Sequence, residues 1–347
     1  MAACGVSTTP AATLERHGRP ASPRPPITHT RADKTVKYGS IQGIRRDISR
    51  IVLGTSGMRS YEQAAPLLDS YAAQGGTCLD TAFVYGQGLC ETVVGQWLRK
   101  NSSVPVLVGK GAHPPRCDPE SVAEELSVSL DRLGVDRIDI YLVHRDNPQV
   151  PVSEWVEALE AQVAAGRISA YGGSNWSTTR LRAVNAYARA AAAAGFVALS
   201  NHFSLAQMAE PLYPGCVAFD EDDVVTLGQS GVALLPWASQ ARGFFSDTDP
   251  GLLDPNMRRC WDTERNRQRR RRAEATATAT GTRTINIALA FVLAQPASMF
   301  PVIGPRTETE LRVALKALDV ELSPDVVRWL VRDGGIHHAH LGNEAGP

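Results

Sequence analysis

Three successive apolar runs in this chain end in residues that move protons. Cys78-Leu79-Asp80-Thr81-Ala82 is followed by Tyr85 in Val84-Tyr85-Gly86, the next run ends Val108-Gly109-Lys110-Gly111, and the one after ends Leu142-Val143-His144-Arg145-Asp146. A carboxylate, a phenol, an ammonium and an imidazole suit general-acid chemistry at a carbonyl. Burying Asp80 or Lys110 alone is costly, so the two are expected to pair. At ~4 Å and an effective dielectric near 20 their attraction is about 4 kcal/mol before desolvation. An ammonium beside the Tyr85 hydroxyl favours phenolate, so the tyrosine pKa is expected to fall from its usual value near ~10 and the phenol to give up its proton more readily. His144 would orient the carbonyl or share the proton relay. Singly, each residue has a plainer reading: a structural ion pair, a core histidine, a turn tyrosine. Four in order on consecutive runs outweigh it. None of these side chains supplies hydride, so reduction at a carbonyl requires a nicotinamide coenzyme.

The elements that must hold these residues follow a regular rhythm. Eight β-rich runs cover 51–55, 77–82, 104–109, 138–144, 168–174, 197–201, 232–237 and 300–304, each followed by a stretch able to form a helix. After the third run, Asp118 caps a helix, Pro119 takes its first position and Glu120 complements its dipole. Val122, Leu126, Leu130 and Leu133 form its apolar stripe and Gly134 stops it. Strand–helix alternation implies parallel strands with helical crossovers, and eight units close into an α/β fold of the (β/α)8 TIM-barrel class. An open doubly wound sheet would announce itself with G-x-G-x-x-G, and the turn Gly54-Thr55-Ser56-Gly57 lacks that pattern. The lead-in, residues 35–51, is expected to form a hairpin plugging the barrel bottom. Active sites of such barrels lie where the strands end, which adds Ser174-Asn175-Trp176, Pro236-Trp237 and Gly304-Pro305-Arg306 to the residues of interest.

Bulk properties narrow the function further. The 36 basic and 36 acidic side chains cancel, which argues against nucleic acid or an anionic membrane as the main partner. No apolar run is long enough to span a bilayer. The six scattered cysteines form no C-x-x-C pair, so reduced thiols and a cytoplasmic location are expected. Residues 1–36 read as a disordered extension, 37–331 as the barrel and 332–347 as a flexible tail carrying His337, His338 and His340. The arginine run 265–272 reads as a solvated helix face. No metal is expected, because His144 is the one histidine read at a strand end and a barrel hydrolase needs several ligands there.

On these residues the sequence resembles the aldo-keto reductase superfamily over roughly 37–331. Leu79-Asp80-Thr81-Ala82-x-x-Tyr85-Gly86, Gly109-Lys110-Gly111 and Leu142-Val143-His144 are similar to its catalytic motifs. His144-Arg145-Asp146 with Phe203-Ser204-Leu205-Ala206 resembles a bacterial branch of sugar and small-carbonyl reductases. The resemblance implies catalysis by Tyr85, Lys110, Asp80 and His144. It implies coenzyme contacts from Gly54, Thr55, Ser174, Asn175, Ser200, Trp237, Gly304, Arg306 and Glu310. Ser200, or Asn201 one place on, stands where the family has Gln, residues 238–243 replace its Ser-Pro-Leu loop, and Glu310 and Ala314 replace Gln and Asn near the adenine. The implied activity is NAD(P)H-dependent reduction of an aldehyde or ketone, such as a sugar or natural-product intermediate, to an alcohol. NADPH is expected over NADH, since the Arg306 guanidinium suits a 2′-phosphate. The alternatives are a nicotinamide-sensing regulatory barrel and an alcohol or lactol dehydrogenase running the reverse reaction. Oligomeric state is not encoded in any of these patterns.

Overall fold

The computed structural model describes residues 36–102 and 104–332 together with the short strand His29–Thr30. Apart from His29, Thr30, Val36 and Arg332, the extension 1–36 and the tail 332–347, with its three histidines, lie outside the described residues.

Twelve strands are present among these residues. Strands β1 (His29–Thr30), β2 (Lys37–Gly39) and β3 (Ile48–Ser49) form a small antiparallel sheet. The others, β4 (Val52–Gly54), β5 (Cys78–Asp80), β6 (Val106–Gly111), β7 (Ile138–Val143), β8 (Ile168–Ser174), β9 (Phe196–Ser200), β10 (Ala233–Leu234), β11 (Ser298–Met299) and β12 (Val302–Ile303), are all parallel. Each neighbours the next in chain order, and β12 returns to β4. β11 and β12 are two halves of one eighth strand, which pairs with β10 on one side and β4 on the other. Pro301 lies between the halves and has no N–H to donate. The ring is thus a closed (β/α)8 barrel. The third strand begins at Val106, after Pro105, two residues later than the apolar run suggests.

The crossover helices are α1 (Tyr61–Ala73), α2 (Leu89–Lys100), α3 (Pro119–Leu133), α4 (Val152–Ala164), α5 (Thr178–Ala190), α6 (Glu221–Gly228), α7 (Pro255–Trp261), α8 (Glu264–Thr280), α9 (Thr284–Leu293), α10 (Glu308–Leu315) and α11 (Pro324–Val331). α3 has the expected grammar. Asp118 Oδ1 accepts the Ser121 amide at 2.8 Å and Gly134 ends the helix at φ 68.

Strand alternation divides the interior in two. Inward residues such as Val52, Cys78, Val108, Ile140 and Ala198 form one buried cluster inside the ring, and Leu53, Leu79, Leu107, Tyr141 and Leu199 face out under the helices. The inner cluster also contains Ile41 and Ile48. The β2–β3 hairpin therefore closes the end of the barrel where the strands begin, as its sequence suggested.

The arginine run is only in part the solvated face that its charge suggests: Arg265, Arg267 and Arg271 are exposed, and the others turn inward. In α8, Arg269 is 1% exposed and Arg272 3%. Arg269 bonds the Leu205 carbonyl and Glu221, Arg270 bonds the carbonyls of Phe244 and Ser246, and Arg272 bonds that of Arg332. These guanidiniums tie three loops to one helix. Among the described residues no helix is long and apolar enough to cross a membrane, and the five described cysteines form no disulfide.

Candidate active site

Continuing the alternation upward brings the polar residues together. Gly54 pairs with Asp80, Asp80 with Val108, and Ser174 with Ser200. Asp80 lies two residues beyond inward Cys78, Lys110 two beyond inward Val108, and His144 two beyond inward Leu142. All three close the ring at the ends of their strands. The amides of Thr81 and Phe83 extend the pairing onto the carbonyls of Val108 and Lys110. This holds the chain that carries Tyr85 against the next strand end. The following turn has Gly86, Gln87 and Gly88 at φ 57, 57 and 94, a left-handed run that glycine adopts without strain.

Lys110 Nζ lies 2.5 Å from Asp80 Oδ1, 3.1 Å from the Thr81 carbonyl and 3.4 Å from the Tyr85 hydroxyl. Asp80 and Lys110 are 3% and 2% exposed, so neither charge is tenable without the other. Burial pulls the Lys110 pKa down, but Asp80 and Tyr85 more than reverse this and the net direction is up. Tyr85 departs from the expected direction. Burial raises its pKa above the ordinary value and the opposing pull of Lys110 does not overcome it. The phenol is held protonated, with the ammonium beside it to receive the charge when the proton leaves. The His144 ring meets the Tyr85 ring edge-on, centroids 5.8 Å apart. Burial first, then Lys110 and Arg145, drive its pKa well below the ordinary value, so the imidazole is neutral. Its Nδ1 is buried without a hydrogen-bond partner.

The structure adds two histidines that the strand boundaries concealed. His113, just past β6, packs against His144 with ring centroids 5.0 Å apart. His202, just past β9, lies 5.1 Å from the Trp237 ring and 5.7 Å from the Trp261 ring. Both were recoverable as the second residue beyond a strand end. Three histidines thus end strands, not one, yet no group of His, Cys, Asp or Glu among the described residues could hold a metal ion.

Around this centre, Ser174 Oγ donates to the Ser200 carbonyl, and Asn175, at φ 60, donates through Nδ2 to Ser174 Oγ. Ser200 and Asn201 differ in where they face. Ser200 lies two residues beyond inward Ala198, whereas the Asn201 carboxamide brackets the backbone N–H and C=O of Trp176. Thr55 donates to the Asp80 carbonyl. Trp237 is half-buried, and its Nε1 has no partner. The loop after β10 holds Ala238, Ala241 and Arg242 at φ 50, 47 and 48, strain of a kind that concentrates at functional sites. Gly304 and Arg306 precede α10 and Glu310 stands in its first turn, where it bonds Arg306. Nothing approaches within 4 Å of the Cβ position at Gly304. Trp176, Phe203, Phe244 and Phe245 are buried in the core.

A model of the aldo/keto reductase family matches residues 50–331. The chain belongs to the aldo-keto reductase family. Its relatives include the uncharacterized oxidoreductase YrpG of Bacillus subtilis, 27% identical over 310 residues, covering 82% of this chain and 91% of that one. The norsolorinic acid reductase StcV of Emericella nidulans is 28% identical over 284 residues, 77% of this chain and 70% of that one. Among solved structures, the thermostable aldo-keto reductase Tm1743, determined with the inhibitor epalrestat, superposes with a TM-score of 0.65 at 23% identity, covering 85% of this chain and 98% of that one. Aldo-keto reductases are oxidoreductases that use nicotinamide coenzymes on small carbonyl compounds. The residues here fit such a coenzyme. A half-buried indole, an inward layer of Ser174 and Ser200 and an unobstructed turn at a helix N-terminus give it a ring face, polar partners and an anion site.

Proposed function

We propose that this aldo-keto reductase reduces an aldehyde or ketone to an alcohol, with Tyr85 as the proton donor. The observation that carries the reading is Lys110 Nζ, bonded at once to Asp80 and to the Tyr85 hydroxyl at the barrel mouth. A bound nicotinamide coenzyme supplies the hydride. As negative charge builds on the carbonyl oxygen, the Tyr85 hydroxyl donates its proton there and Lys110 stabilises the phenolate left behind. Asp80 fixes Lys110 in place and offsets its charge. His144, neutral, presents its ring to the same oxygen without competing for the proton. Ser174, Asn175 and Ser200 would hold the nicotinamide end, Trp237 would stack on its ring, Gly54 and Thr55 would line its side, and Gly304, Arg306 and Glu310 would meet the adenosine end.

At the adenosine end the resemblance leads to an expectation of NADPH, and the surroundings of Arg306 favour NADH as a competing reading. The Arg306 guanidinium lies 2.9 Å from Glu310 Oε1, and Glu310 Oε2 takes the Arg306 amide at 2.7 Å. With 86% of the Arg306 side chain exposed, this pair is worth at most about 1 kcal/mol and could be exchanged. The discriminating feature is the second charge. Burial pushes the Glu310 pKa up, but the bonds from Arg306 outweigh it and keep the carboxylate ionised. A 2′-phosphate would face that anion, whereas a 2′-hydroxyl could donate to it. This supports NADH as the coenzyme. Binding measured by quenching of tryptophan fluorescence should be tighter for NADH, and Glu310→Gln should narrow or invert the ratio. Equal binding of both coenzymes by both proteins would refute the assignment. For the chemistry, Tyr85→Phe should lower turnover about a hundredfold to ten-thousandfold while coenzyme binding persists. Near-normal rates in that variant on every active carbonyl compound would rule Tyr85 out as the acid.

A further inference from the structure

Arg145 follows His144 at the mouth of the barrel and is 7% exposed. Burying a guanidinium normally requires an anion. Among the described residues, no carboxylate lies within ion-pair distance of this one. Nη1 donates to the His144 carbonyl at 2.9 Å, Nη2 reaches the Cys216 thiol at 3.7 Å, and Nε is buried with no partner. The natural candidate next door is already committed. Both oxygens of Asp146 accept Arg180 Nε, at 3.1 and 2.9 Å, and Oδ1 also accepts Nη2 at 2.9 Å. Within the site, Lys110 is neutralised by Asp80 and both nearby histidines are driven toward the neutral form by burial first of all. The charge of Arg145 is therefore left over beside His144, whose carbonyl it holds and whose ring contacts those of Tyr85 and His113.

What covers the guanidinium is light. The turn Tyr213-Pro214-Gly215-Cys216 lies over its stem, with the Gly215 Cβ position 3.4 Å from Arg145 Cδ, and the first three residues of the turn are exposed. A thiol is a weak acceptor, and a carboxylate in its place would give Arg145 charge-assisted bonds of roughly twice the strength of neutral ones. A second cation marks the rim of the same turn. Arg242 lies over the Tyr213 ring at 5.8 Å, is exposed, and likewise has no carboxylate partner among the described residues.

We propose that Arg145 anchors an anionic group of the substrate, so that the preferred substrates are carbonyl compounds that also carry a carboxylate. The proposal rests on the reductase reading for its turnover assay, and a binding assay makes the two separable. The turnover assay compares matched pairs: butanal with 4-oxobutanoate, and benzaldehyde with 4-carboxybenzaldehyde. The wild type should favour the carboxylated member by about tenfold or more in kcat/KM, chiefly through KM. Arg145→Met should collapse that ratio and Arg145→Lys should keep part of it. A wild-type ratio near one, or a ratio that Arg145→Met leaves intact, overturns the proposal. Should the Met variant fail to fold, the wild-type ratio and the Lys variant decide. Calorimetric titration with benzoate and with benzyl alcohol needs no turnover. Benzoate binding that Arg145→Met abolishes supports the anion site even if no aldehyde is reduced. Reduction of all four aldehydes with no preference sinks the anion site and leaves the reductase standing.

Discussion

At the scale of single residues, the centre depends on one ion pair that cannot be split. Replacing Lys110 by Met leaves the Asp80 carboxylate buried and unpaired, which should cost about 3–5 kcal/mol. Converting Asp80 to Asn in the same chain should return most of that stability without returning activity. Denaturant titration of the single and double variants checks this, and a double variant no more stable than the single one would show that the pair is not the unit described. The pairing was readable in the sequence because charges ending adjacent apolar runs have few other options. The direction of the Tyr85 pKa was not. It depends on how deeply the phenol is buried, and here burial outweighs Lys110. Glu310 was visible as a departure from the family pattern, but not that its carboxylate reaches back to both the amide and the guanidinium of Arg306. That contact requires the first turn of α10 to be in place.

At the scale of elements, helices with clean caps and stripes were legible, and the region 246–283 was not. Its arginines give α8 no apolar stripe, so pattern alone assigns them to solvent. Arg269 and Arg272 are buried because loop carbonyls, rather than apolar side chains, form the surface they pack against. Carbonyl acceptors leave no trace in a hydropathy pattern. Arg270→Ala removes bonds to the carbonyls of Phe244 and Ser246, beside the strained loop after β10. That variant should expose residues 244–249 to limited proteolysis and to faster amide exchange, with the barrel strands still protected; an unchanged cleavage pattern would show that the loop is held by other contacts. Close packing makes a second demand. A Cβ on Gly95 in α2 would lie 2.1 Å from the Arg132 carbonyl oxygen in α3. Gly95→Ala must therefore push two helices apart, with a loss of about 1–3 kcal/mol in chemical denaturation, although alanine is the better helix former.

At the scale of the whole molecule, the barrel keeps several histidines in surroundings that reject a proton, and this ties folding to pH. Burial lowers the pKa of His202 to about 3, and His144 and His113 shift in the same direction. An unfolded histidine titrates near ~6.5. Above that pH neither state is protonated and these groups have no effect. Below it the unfolded chain binds protons that the folded chain refuses, so stability falls as pH falls, by up to about 1.4 kcal/mol per pH unit for each such histidine. The buried carboxyls oppose this. Burial raises the pKa of Asp80, Glu91 and Glu125, and a carboxyl that accepts its proton more readily in the folded state stabilises that state on acidification. His202 separates the two contributions. It is 1% exposed, wedged between Trp237 and Trp261, and its Nδ1 lacks a partner. His202→Phe should keep the aromatic packing and remove one titrating group, so its Tm should decline less steeply than that of the wild type between about pH 6.5 and 5. Parallel Tm profiles would mean that His202 takes up a proton in the folded barrel. In the folded wild type His202 stays neutral over this interval, so Trp237, the ring proposed to face the nicotinamide, keeps an uncharged edge-on neighbour 5.1 Å away. Coenzyme affinity should therefore hold steady between about pH 6.5 and 5 while the Tm falls, and His202→Phe should change the Tm slope alone; affinity that weakens over this interval in the wild type but not in His202→Phe would show that His202 takes up a proton in the folded barrel.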